Sequence, residues 1–294
     1  MARELKHIVV TGSQGQLGRE FQKISMHSPC RFTFLSKREL DITSGQSQVT
    51  LGTLQPDIVV NCAAYTAVDQ AEDEKELAMT VNAGGAEKLA TICADLNVPI
   101  IHFSSDYVYH NRLRRPLKET DPTRPKSVYG KSKLKGEKLI QKVHPFPIII
   151  RVSWLYSTFG KNFAKTMLQL AQERTSLRIV ADQIGAPTNA RDLAHSVIEI
   201  IENKQSDNWA DISGVYNFSN EGSTSWYKIA CFIIEYAELD CLIHPIKSIE
   251  YPTKAKRPRY SILNLSKFKR TFGGGISKWE ESMKICLSEL LNER

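Results

Sequence analysis

The chemistry that this sequence suggests is centred on a serine hydroxyl, a tyrosine phenol and a lysine ammonium. Ser105 belongs to the segment Ser104-Ser105-Asp106-Tyr107, and Tyr129 and Lys133 stand four residues apart where the sequence predicts a helix start. Residues at this spacing share one helix face. Because a nearby lysine favours the ionised phenol, we expect Lys133 to lower the pKa of Tyr129 from about 10. The phenol could then exchange a proton with a substrate oxygen that Ser105 polarises.

A glycine-rich turn near the start of the chain predicts a dinucleotide site. Residues 7–11 form a β-branched run, and Gly12, Gly15 and Gly18 follow it in a G-x-x-G-x-x-G pattern before a helix start. These glycines let the backbone approach a pyrophosphate, whose charge the N–H groups of the helix N-terminus bind. Three glycines can also form an ordinary loop, but their position between strand and helix favours the dinucleotide interpretation.

The residues after the second predicted strand bear on the choice between NADP and NAD. Residues 32–35 predict this strand, and Ser36, Lys37 and Arg38 follow it. An acid is usual here in NAD sites because it binds the ribose 2′-hydroxyl, whereas a hydroxyl and two cations suit a 2′-phosphate. We therefore expect NADP, with NAD as the alternative cofactor. The alternative is that Lys37 and Arg38 are simply solvated charges of a surface loop.

The order of the predicted elements indicates an α/β fold of Rossmann type. Strands over residues 57–64 and 99–103 flank a helical stretch from about residue 72 to 96. Such alternation predicts a doubly wound parallel sheet with ligands beyond the carboxyl ends of its strands, where the glycine turn, Ala63, Ala64 and Ser105 would share one edge. A smaller C-terminal α/β substrate domain is expected to follow. We assign residues 1–158 and about 188–220 to the nucleotide-binding domain, and 159–187 and 221–294 to the substrate domain.

Composition narrows the class of protein. The 294 residues carry a formal net charge of +7, which suits an anionic ligand such as a nucleotide, and contain six scattered cysteines without C-x-x-C spacing. Buried free thiols are favoured over disulfides or zinc. An apolar run of roughly 18 residues, which a membrane helix needs, is lacking, and so is a signal-peptide pattern at the start. We expect a cytoplasmic protein without a membrane or nucleic-acid partner.

Four cations within residues 254–259 predict either an anion site or a solvated basic loop. Arg257 and Arg259 are the better candidates in this run, because a guanidinium can bind a phosphate through two parallel hydrogen bonds. The functional interpretation is the binding of a phosphate or diphosphate group. A solvated basic face is the alternative.

Together these segments resemble the extended short-chain dehydrogenase/reductases and, more narrowly, the dTDP-4-dehydrorhamnose reductase family. The triad and the glycine turn belong to the whole superfamily, whereas several other segments are more particular to the narrower family. The resemblance extends from about residue 6 to about residue 292. The segments of the narrower resemblance are residues 63–72, 153–156, 160–167, 182–188 and 257–259.

The resemblance implies reduction of the C4 ketone of dTDP-4-dehydro-L-rhamnose by NADPH. It implies that Tyr129 donates the proton, that Ser105 holds the carbonyl and that Lys133 binds the nicotinamide ribose. With the residues derived above, the expected cofactor contacts are Gly12, Gly15, Gln16, Leu17, Gly18, Ser36, Lys37, Arg38, Asp41, Ile42, Ala63, Ala64, Tyr65, Thr66, Phe103, Tyr129 and Lys133. The expected substrate contacts are Val68, Ser105, Asp106, Tyr107, Trp154, Asn162, Gln183, Ala186, Pro187, Arg257 and Arg259.

Two other functions fit the same motifs. One is another nucleotide-sugar ketoreductase or an epimerase. The other is an NADP-binding regulatory subunit, because the regulatory beta subunit of methionine adenosyltransferase is similar to this family. The segment around Trp154 and residues 183–187 favours the reductase.

The sequence departs from the family pattern at residues 36–38, where some members have an acid, and at two further places. Some members dimerise through magnesium held by acids; Glu20 matches one such position, but Arg191 stands where a second acid is expected. We therefore predict no magnesium, and either a monomer or a homodimer. Tyr109-His110-Asn111 replaces a short Asp-Gly turn beside the site, which could alter the sugar preference.

Overall fold

The computed structural model of this chain describes residues 5–110, 113–203 and 209–292. Residues 1–4, part of the start that was searched for a signal peptide, lie outside these ranges. So does Asn111, part of the segment that replaces the Asp-Gly turn. The strands are β1 (His7–Thr11), β2 (Arg31–Leu35), β3 (Ile58–Asn61), β4 (Ile100–Ser105), β5 (Ile148–Val152), β6 (Leu155–Tyr156), β7 (Ser176–Val180), β8 (Ile184–Gly185), β9 (Thr188–Asn189), β10 (Gly214–Phe218), β11 (Thr224–Ser225) and β12 (Leu242–Ile246). The α-helices are α1 (Gln16–Ser25), α2 (Ser47–Leu54), α3 (Lys75–Met79), α4 (Ala86–Asp95), α5 (Val128–Val143), α6 (Phe163–Glu173), α7 (Ala190–Asn203), α8 (Trp226–Tyr236), α9 (Ser266–Phe272) and α10 (Trp279–Asn292).

Six parallel strands form the central sheet in the order β10-β5-β4-β3-β1-β2. Alternate residues of β1 pack into different apolar clusters: Ile8 and Val10 join α1 and α7, whereas Val9 joins α2 and α4. Helices therefore cover both faces of the sheet, as an all-parallel sheet requires. The predicted α/β fold with a doubly wound parallel sheet is confirmed.

The strand order around β1 determines where a ligand can bind. The chain passes from β1 to β2 on one side and then to β3 on the other, so the order reverses between β1 and β3. In open α/β sheets, ligands bind beyond the carboxyl ends of the strands at such a switch point. The turn after β1 and the residues after β3 and β4 border this point.

A third apolar cluster lies outside the two that flank the sheet. It joins Leu168 of α6, Ile233 of α8 and Leu287 of α10 with Leu177 of β7. β7 pairs in parallel with β12, a strand that the sequence analysis does not predict. This cluster is the core of the C-terminal α/β region.

The helical stretch predicted over about residues 72–96 is interrupted. A 3₁₀ turn (Gln70–Glu72) and α3 lead into a π-helical segment, Thr80–Gly85, before α4 begins. This segment approaches α5 so closely that a Cβ at Gly136 would lie 2.1 Å from the carbonyl oxygen of Asn82. Such π turns are frequent near functional sites.

Two findings bear on the expectations from composition. Among the described residues, no helix combines the length and the apolarity that crossing a membrane requires. The cysteines are free thiols; the buried ones are Cys93, Cys241 and Cys286, and the half-buried ones are Cys30, Cys62 and Cys231.

Candidate active site

A cavity of about 400 Å³ opens at the carboxyl ends of β1, β3 and β4. It brings together the glycine turn, the segment after β3, the end of β4 and the start of α5. Its lining includes Gly15, Gln16, Leu17, Ala63, Ala64, Thr66, Val68, Phe103, Ser105, Asp106, Tyr107, Tyr129, Lys133, Trp154 and Trp226. The three candidate catalytic groups therefore share one cavity with the glycine turn. We call it the catalytic cavity.

Close backbone contacts hold the glycine turn against β3. Gly12 has a φ of +62°, and a Cβ there would lie 2.6 Å from the backbone nitrogen of Ala63. A Cβ at Gly18 would lie 2.5 Å from the carbonyl oxygen of Gly12, so α1 can approach the turn only with glycine at this position. α1 begins at Gln16 without a cap from any described side chain. Its first N–H groups are the donors that a helix N-terminus offers to an anion.

Ser127 fixes the start of α5 and with it the position of Tyr129. Its hydroxyl oxygen accepts a hydrogen bond from the N–H of Gly130 at 3.1 Å, which places Tyr129 in the first turn and Lys133 one turn later. A Cβ at Gly130 would lie 2.5 Å from the carbonyl oxygen of Tyr107. This close approach lets the rings of Tyr107 and Tyr129 meet edge to face, with centroids 5.5 Å apart.

Two buried asparagines, which the sequence analysis does not single out, hold the segment after β3. Asn82 accepts a hydrogen bond from the N–H of Tyr65 at 2.9 Å and donates to the Tyr65 carbonyl and the Ser132 hydroxyl, both at 3.0 Å. Oδ1 of Asn61 accepts from the N–H of Ala63 at 3.1 Å. The sequence signal for Asn82 is an asparagine within a helical pattern, where its propensity is poor.

Lys133 is directed towards β4. Its Nζ donates to the carbonyl oxygen of Phe103 at 2.6 Å and lies 3.4 Å from Nε2 of His102. Burial lowers the pKa of Lys133 to about 8, although the negative charge of Glu137 opposes this shift. The side chain therefore remains mostly an ammonium at neutral pH.

Burial also controls the phenol of Tyr129. It raises the pKa of Tyr129 to about 12, and hydrogen bonding with Ser105 offsets this shift only in part. The expectation that Lys133 lowers this pKa is therefore wrong, because the ammonium is directed to the β4 carbonyl and desolvation of the phenolate dominates. Tyr129 keeps its proton at neutral pH, which is the state that a proton donor needs.

Asp106 adds a carboxyl group to the same cavity. The residue is 1% exposed, and its Oδ1 accepts a hydrogen bond from the Ser105 hydroxyl at 3.1 Å. Burial raises the pKa of Asp106 to about 7, although the hydroxyls of Ser261 and Ser105 oppose this shift. Near pH 7 the carboxyl is therefore poised between its protonated and ionised forms.

Two stacked tryptophans stand between the catalytic cavity and a second one. The ring centroids of Trp154 and Trp226 are 3.8 Å apart, with an interplanar angle of 17°. Trp154 has a φ of 46°, which is unusual for a bulky residue and frequent at functional sites. Trp226 donates its Nε1–H to Oε1 of Gln183 at 3.2 Å and lines both cavities. Trp226 is thus part of the wall of both cavities.

The second cavity has a volume of about 690 Å³ and lies among α6, β7 and α8. Apolar side chains form one part of its wall, and polar groups of the loop before α9 form another. The lining includes Phe163, Thr166, Met167, Leu170, Arg178, Ile179, Gln183, Trp226, Glu250, Tyr251 and Arg257. Its volume is in the range of small-molecule sites.

Arg257 connects this second cavity to the segment after β3. Its Nη2 lies 2.6 Å from Oδ2 of Asp69, and its Nη1 lies 3.1 Å from Oδ1. The backbone N–H of Ala255 donates to the same carboxylate at 3.0 Å. Arg257 thus forms part of the wall of the second cavity, and its guanidinium is paired with the Asp69 carboxylate.

Comparison with known proteins identifies the family. A family model described as the RmlD substrate binding domain matches residues 6–292. A dTDP-4-dehydrorhamnose reductase of Sinorhizobium fredii is 39% identical over 291 residues, which cover 97% of this chain and 98% of that protein. The chain belongs to the dTDP-4-dehydrorhamnose reductase family. The resemblance inferred from the sequence is confirmed.

Solved structures of this family share the whole fold. A dTDP-4-dehydrorhamnose reductase of Clostridium acetobutylicum superposes with a TM-score of 0.91 at 35% identity, covering 97% of this chain and 99% of that one. The reductase of Bacillus anthracis, solved in complex with NADP, also gives a TM-score of 0.91, at 34% identity. That comparison covers 99% of this chain and all of the other.

Half of the residues expected to contact the cofactor or the substrate line the catalytic cavity. Gly12 and Gly18 form the turn behind it, and Tyr65 is the residue that Asn82 holds. Gln183 and Arg257 lie instead at the second cavity. The expected residues in the lining of the catalytic cavity are Gly15, Gln16, Leu17, Ala63, Ala64, Thr66, Val68, Phe103, Ser105, Asp106, Tyr107, Tyr129, Lys133 and Trp154.

The residues expected to bind the adenosine part of the cofactor follow the end of β2. They do not belong to the lining of the catalytic cavity. Ser36 and Ile42 are buried, whereas Lys37 and Arg38 are exposed. Asp41 is partly exposed, and hydrogen bonds from the neighbouring threonine lower its pKa. This placement leaves the two cations accessible to an anionic group at the strand end.

Four residues expected to bind the substrate are placed elsewhere. Nδ2 of Asn162 donates to Oε1 of Gln16 at 3.0 Å, so Asn162 holds the glycine turn instead of lining a cavity. Ala186 and Pro187 are buried and belong to the lining of neither cavity, and Arg259 is exposed. The sequence identifies the segments, but the direction of these side chains depends on contacts between distant parts of the chain.

The two positions considered for magnesium have other partners. Glu20 is buried and accepts a hydrogen bond from the Ser157 hydroxyl at 2.6 Å, and burial raises its pKa. Arg191 pairs with Glu289 at 2.7 Å. Within the described ranges, no group of three or more histidine, cysteine, aspartate or glutamate residues could hold a metal ion.

Proposed function

We propose that this chain reduces the C4 ketone of dTDP-4-dehydro-L-rhamnose to dTDP-L-rhamnose with NADPH. One observation carries the proposal: Ser105, Tyr129 and Lys133 share a cavity with a glycine turn that opens a helix at the switch point of the sheet. Membership of the reductase family and the NADP bound to the Bacillus anthracis relative support the substrate and the cofactor.

The side chains of the cavity divide the work of this reduction. NADPH, when bound, supplies the hydride that reaches C4 of the sugar. Tyr129, protonated because of its high pKa, gives its proton to the carbonyl oxygen, to which Ser105 donates a hydrogen bond. The ammonium of Lys133 stabilises the phenolate that Tyr129 becomes. A low-dielectric cavity strengthens each of these interactions.

The positions of polar groups suggest how the two ligands lie. The N–H groups at the start of α1 would bind the cofactor pyrophosphate, and Lys37 and Arg38 would bind its 2′-phosphate. The sugar would lie against Tyr107 and Trp154, with the nucleotide in the second cavity beside Gln183 and Arg257.

Turnover of the purified protein tests this proposal. With dTDP-4-dehydro-L-rhamnose and NADPH, we expect loss of the NADPH absorbance, and we expect slower loss with NADH. Tyr129→Phe keeps the ring but removes the proton, so kcat should fall by about 10²- to 10⁴-fold. NADPH binding without turnover by the native protein would contradict the proposal and favour a regulatory subunit. Equal turnover by Tyr129→Phe would exclude Tyr129 as the proton donor.

Three further properties belong to the same proposal. We propose the division into residues 1–158 with about 188–220, and residues 159–187 with 221–294, which the separate apolar cluster of α6, α8 and α10 supports. We also propose a cytoplasmic location, and a monomer or homodimer. Size-exclusion chromatography with light scattering tests the oligomeric state.

A further inference from the structure

The carboxyl group of Asp106 is buried in the catalytic cavity with one oxygen unbonded. Oδ1 accepts from the Ser105 hydroxyl, whereas Oδ2 has no hydrogen-bond partner among the described residues. The Ser261 hydroxyl is close enough to lower the pKa of Asp106 but forms no hydrogen bond of ordinary length with Oδ2. An ionised carboxylate with a free, desolvated oxygen is costly, so the site favours the protonated acid.

Ser105 connects this acid to the proton donor. Its Oγ lies 3.1 Å from Oδ1 of Asp106, and its hydrogen bonding affects the pKa of Tyr129. Oγ also accepts the N–H of Tyr107 at 3.2 Å, which fixes its position and leaves the hydroxyl hydrogen free to point either way. Asp106 and Tyr129 thus both lie close to the Ser105 hydroxyl, which donates to Asp106 and, by rotating, can turn its hydrogen towards the phenol.

Burial of the Asp106 carboxyl, and not a neighbouring charge, favours a proton on the acid. Burial is the main cause of the raised pKa of Asp106. The other ionisable side chains of the cavity near Asp106 are the phenols of Tyr107 and Tyr129 and the ammonium of Lys133, and Arg257 and Asp69 act on the pKa of Tyr107. Arg257 is paired with Asp69 and forms no hydrogen bond with Asp106 among the described residues.

We propose that Asp106 stores the proton that restores Tyr129 after each reduction, with Ser105 as the bridge. This inference rests on the proposed reductase function. The O–H bond of Tyr129 breaks as the product hydroxyl forms, leaving a phenolate. The acid proton of Asp106 then moves to Ser105 while the Ser105 proton moves to the phenolate, and water reprotonates Asp106. Each turnover therefore takes one hydride from NADPH and one proton from the solvent.

Asp106→Asn tests the relay, because asparagine keeps the shape and the hydrogen bond to Ser105 but cannot release a proton. The native rate should fall as the pH rises through about 7, where Asp106 loses its proton. In Asp106→Asn we expect kcat to fall by at least about tenfold, KM to change little and this limb of the pH profile to disappear. Asp106→Glu restores a titratable carboxyl and should restore the limb.

A matched control separates the relay from a general effect of charge. Asp95→Asn removes an exposed carboxylate at the end of α4 and should leave the profile unchanged. If Asp106→Asn instead raises KM and preserves the pH limb, Asp106 only contacts the sugar and the relay is overturned.

Stability tests the stored proton without turnover. A carboxyl with a raised pKa in the folded state contributes stability at low pH, and this contribution is lost as the pH rises through the folded pKa. The urea midpoint of the native protein should therefore fall relative to that of Asp106→Asn between pH 5 and pH 8. If the difference between the two urea midpoints stays constant from pH 5 to pH 8, Asp106 does not hold a proton near neutral pH. The proposal is then overturned even if the enzyme is active. If the native protein shows no turnover but the difference between the two urea midpoints still depends on pH, the reductase function and the relay are both refuted. The raised pKa of the buried Asp106 carboxyl is then confirmed.

Discussion

The catalytic cavity and the second cavity are built with different kinds of contacts. Next to the catalytic cavity, Arg151 of β5 donates two hydrogen bonds of 2.6 and 2.9 Å to Glu137 of α5. Both side chains are almost fully buried. Beside the second cavity, Arg178 pairs with Glu250 at 2.8 Å, but these side chains are 64% and 43% exposed. The same pair of residue types therefore stands in two very different environments.

This difference fits the roles proposed for the two cavities, reduction in the first and binding of the nucleotide in the second. Removing one partner of a buried ion pair costs about 3–5 kcal/mol, because the other charge remains desolvated. An exposed pair contributes only about 0–1 kcal/mol. We expect substitutions behind the catalytic cavity to change stability, and substitutions around the second cavity to change substrate affinity.

The largest effect should come from Glu137→Ala. It leaves the guanidinium of Arg151 buried and removes the acceptor of the Ser104 hydroxyl, so we expect a loss of about 3–5 kcal/mol in the free energy of unfolding. Urea unfolding measures this loss. Glu250→Ala is the control at the second cavity, with an expected loss below about 1 kcal/mol. Similar losses in both variants would remove the contrast between the two cavities.

The catalytic cavity is the part that the sequence predicts well. Each of its groups lies close in the chain to the element that positions it: Gly12 follows β1, Ser105 ends β4, and Tyr129 and Lys133 share a turn of α5. Parallel strands bring such positions to one edge of the sheet whatever the length of the connections. Local spacing is therefore sufficient to predict this convergence.

Properties that depend on distant contacts are predicted poorly. The second cavity unites Gln183, Trp226 and Arg257, and no local pattern shows that Trp226 faces both cavities. The direction of Asn162 depends on a glycine turn almost 150 residues away. The pKa of Tyr129 depends on how deeply the phenol is buried, which sequence spacing does not reveal.

An intermediate effect is expected for Trp226→Leu, which removes the ring stacked on Trp154. We expect a loss of about 2 kcal/mol in stability and a rise of about tenfold in the KM for the nucleotide sugar, since the wall of both cavities loses its aromatic contact. The Kd for NADPH should stay unchanged. Fluorescence titration and initial rates measure these quantities, with Tyr227→Leu on the same helix as the control. If the Kd for NADPH rises as much as the KM for the nucleotide sugar, Trp226 affects the binding of both ligands. The two cavities then do not bind their ligands independently.

The smallest effect should come from Asp69→Asn, at the ion pair that fastens the loop of Arg257. The two side chains are 42% and 25% exposed, so we expect a change of at most about 1 kcal/mol in stability. Because the neutral amide holds the guanidinium less firmly, the KM for the nucleotide sugar should rise by up to about fivefold, which corresponds to about 1 kcal/mol. Asp73→Asn, which removes the exposed partner of Lys254, should leave this KM unchanged. If both variants raise the KM equally, the net charge near the opening matters and the geometry of the Arg257 pair does not.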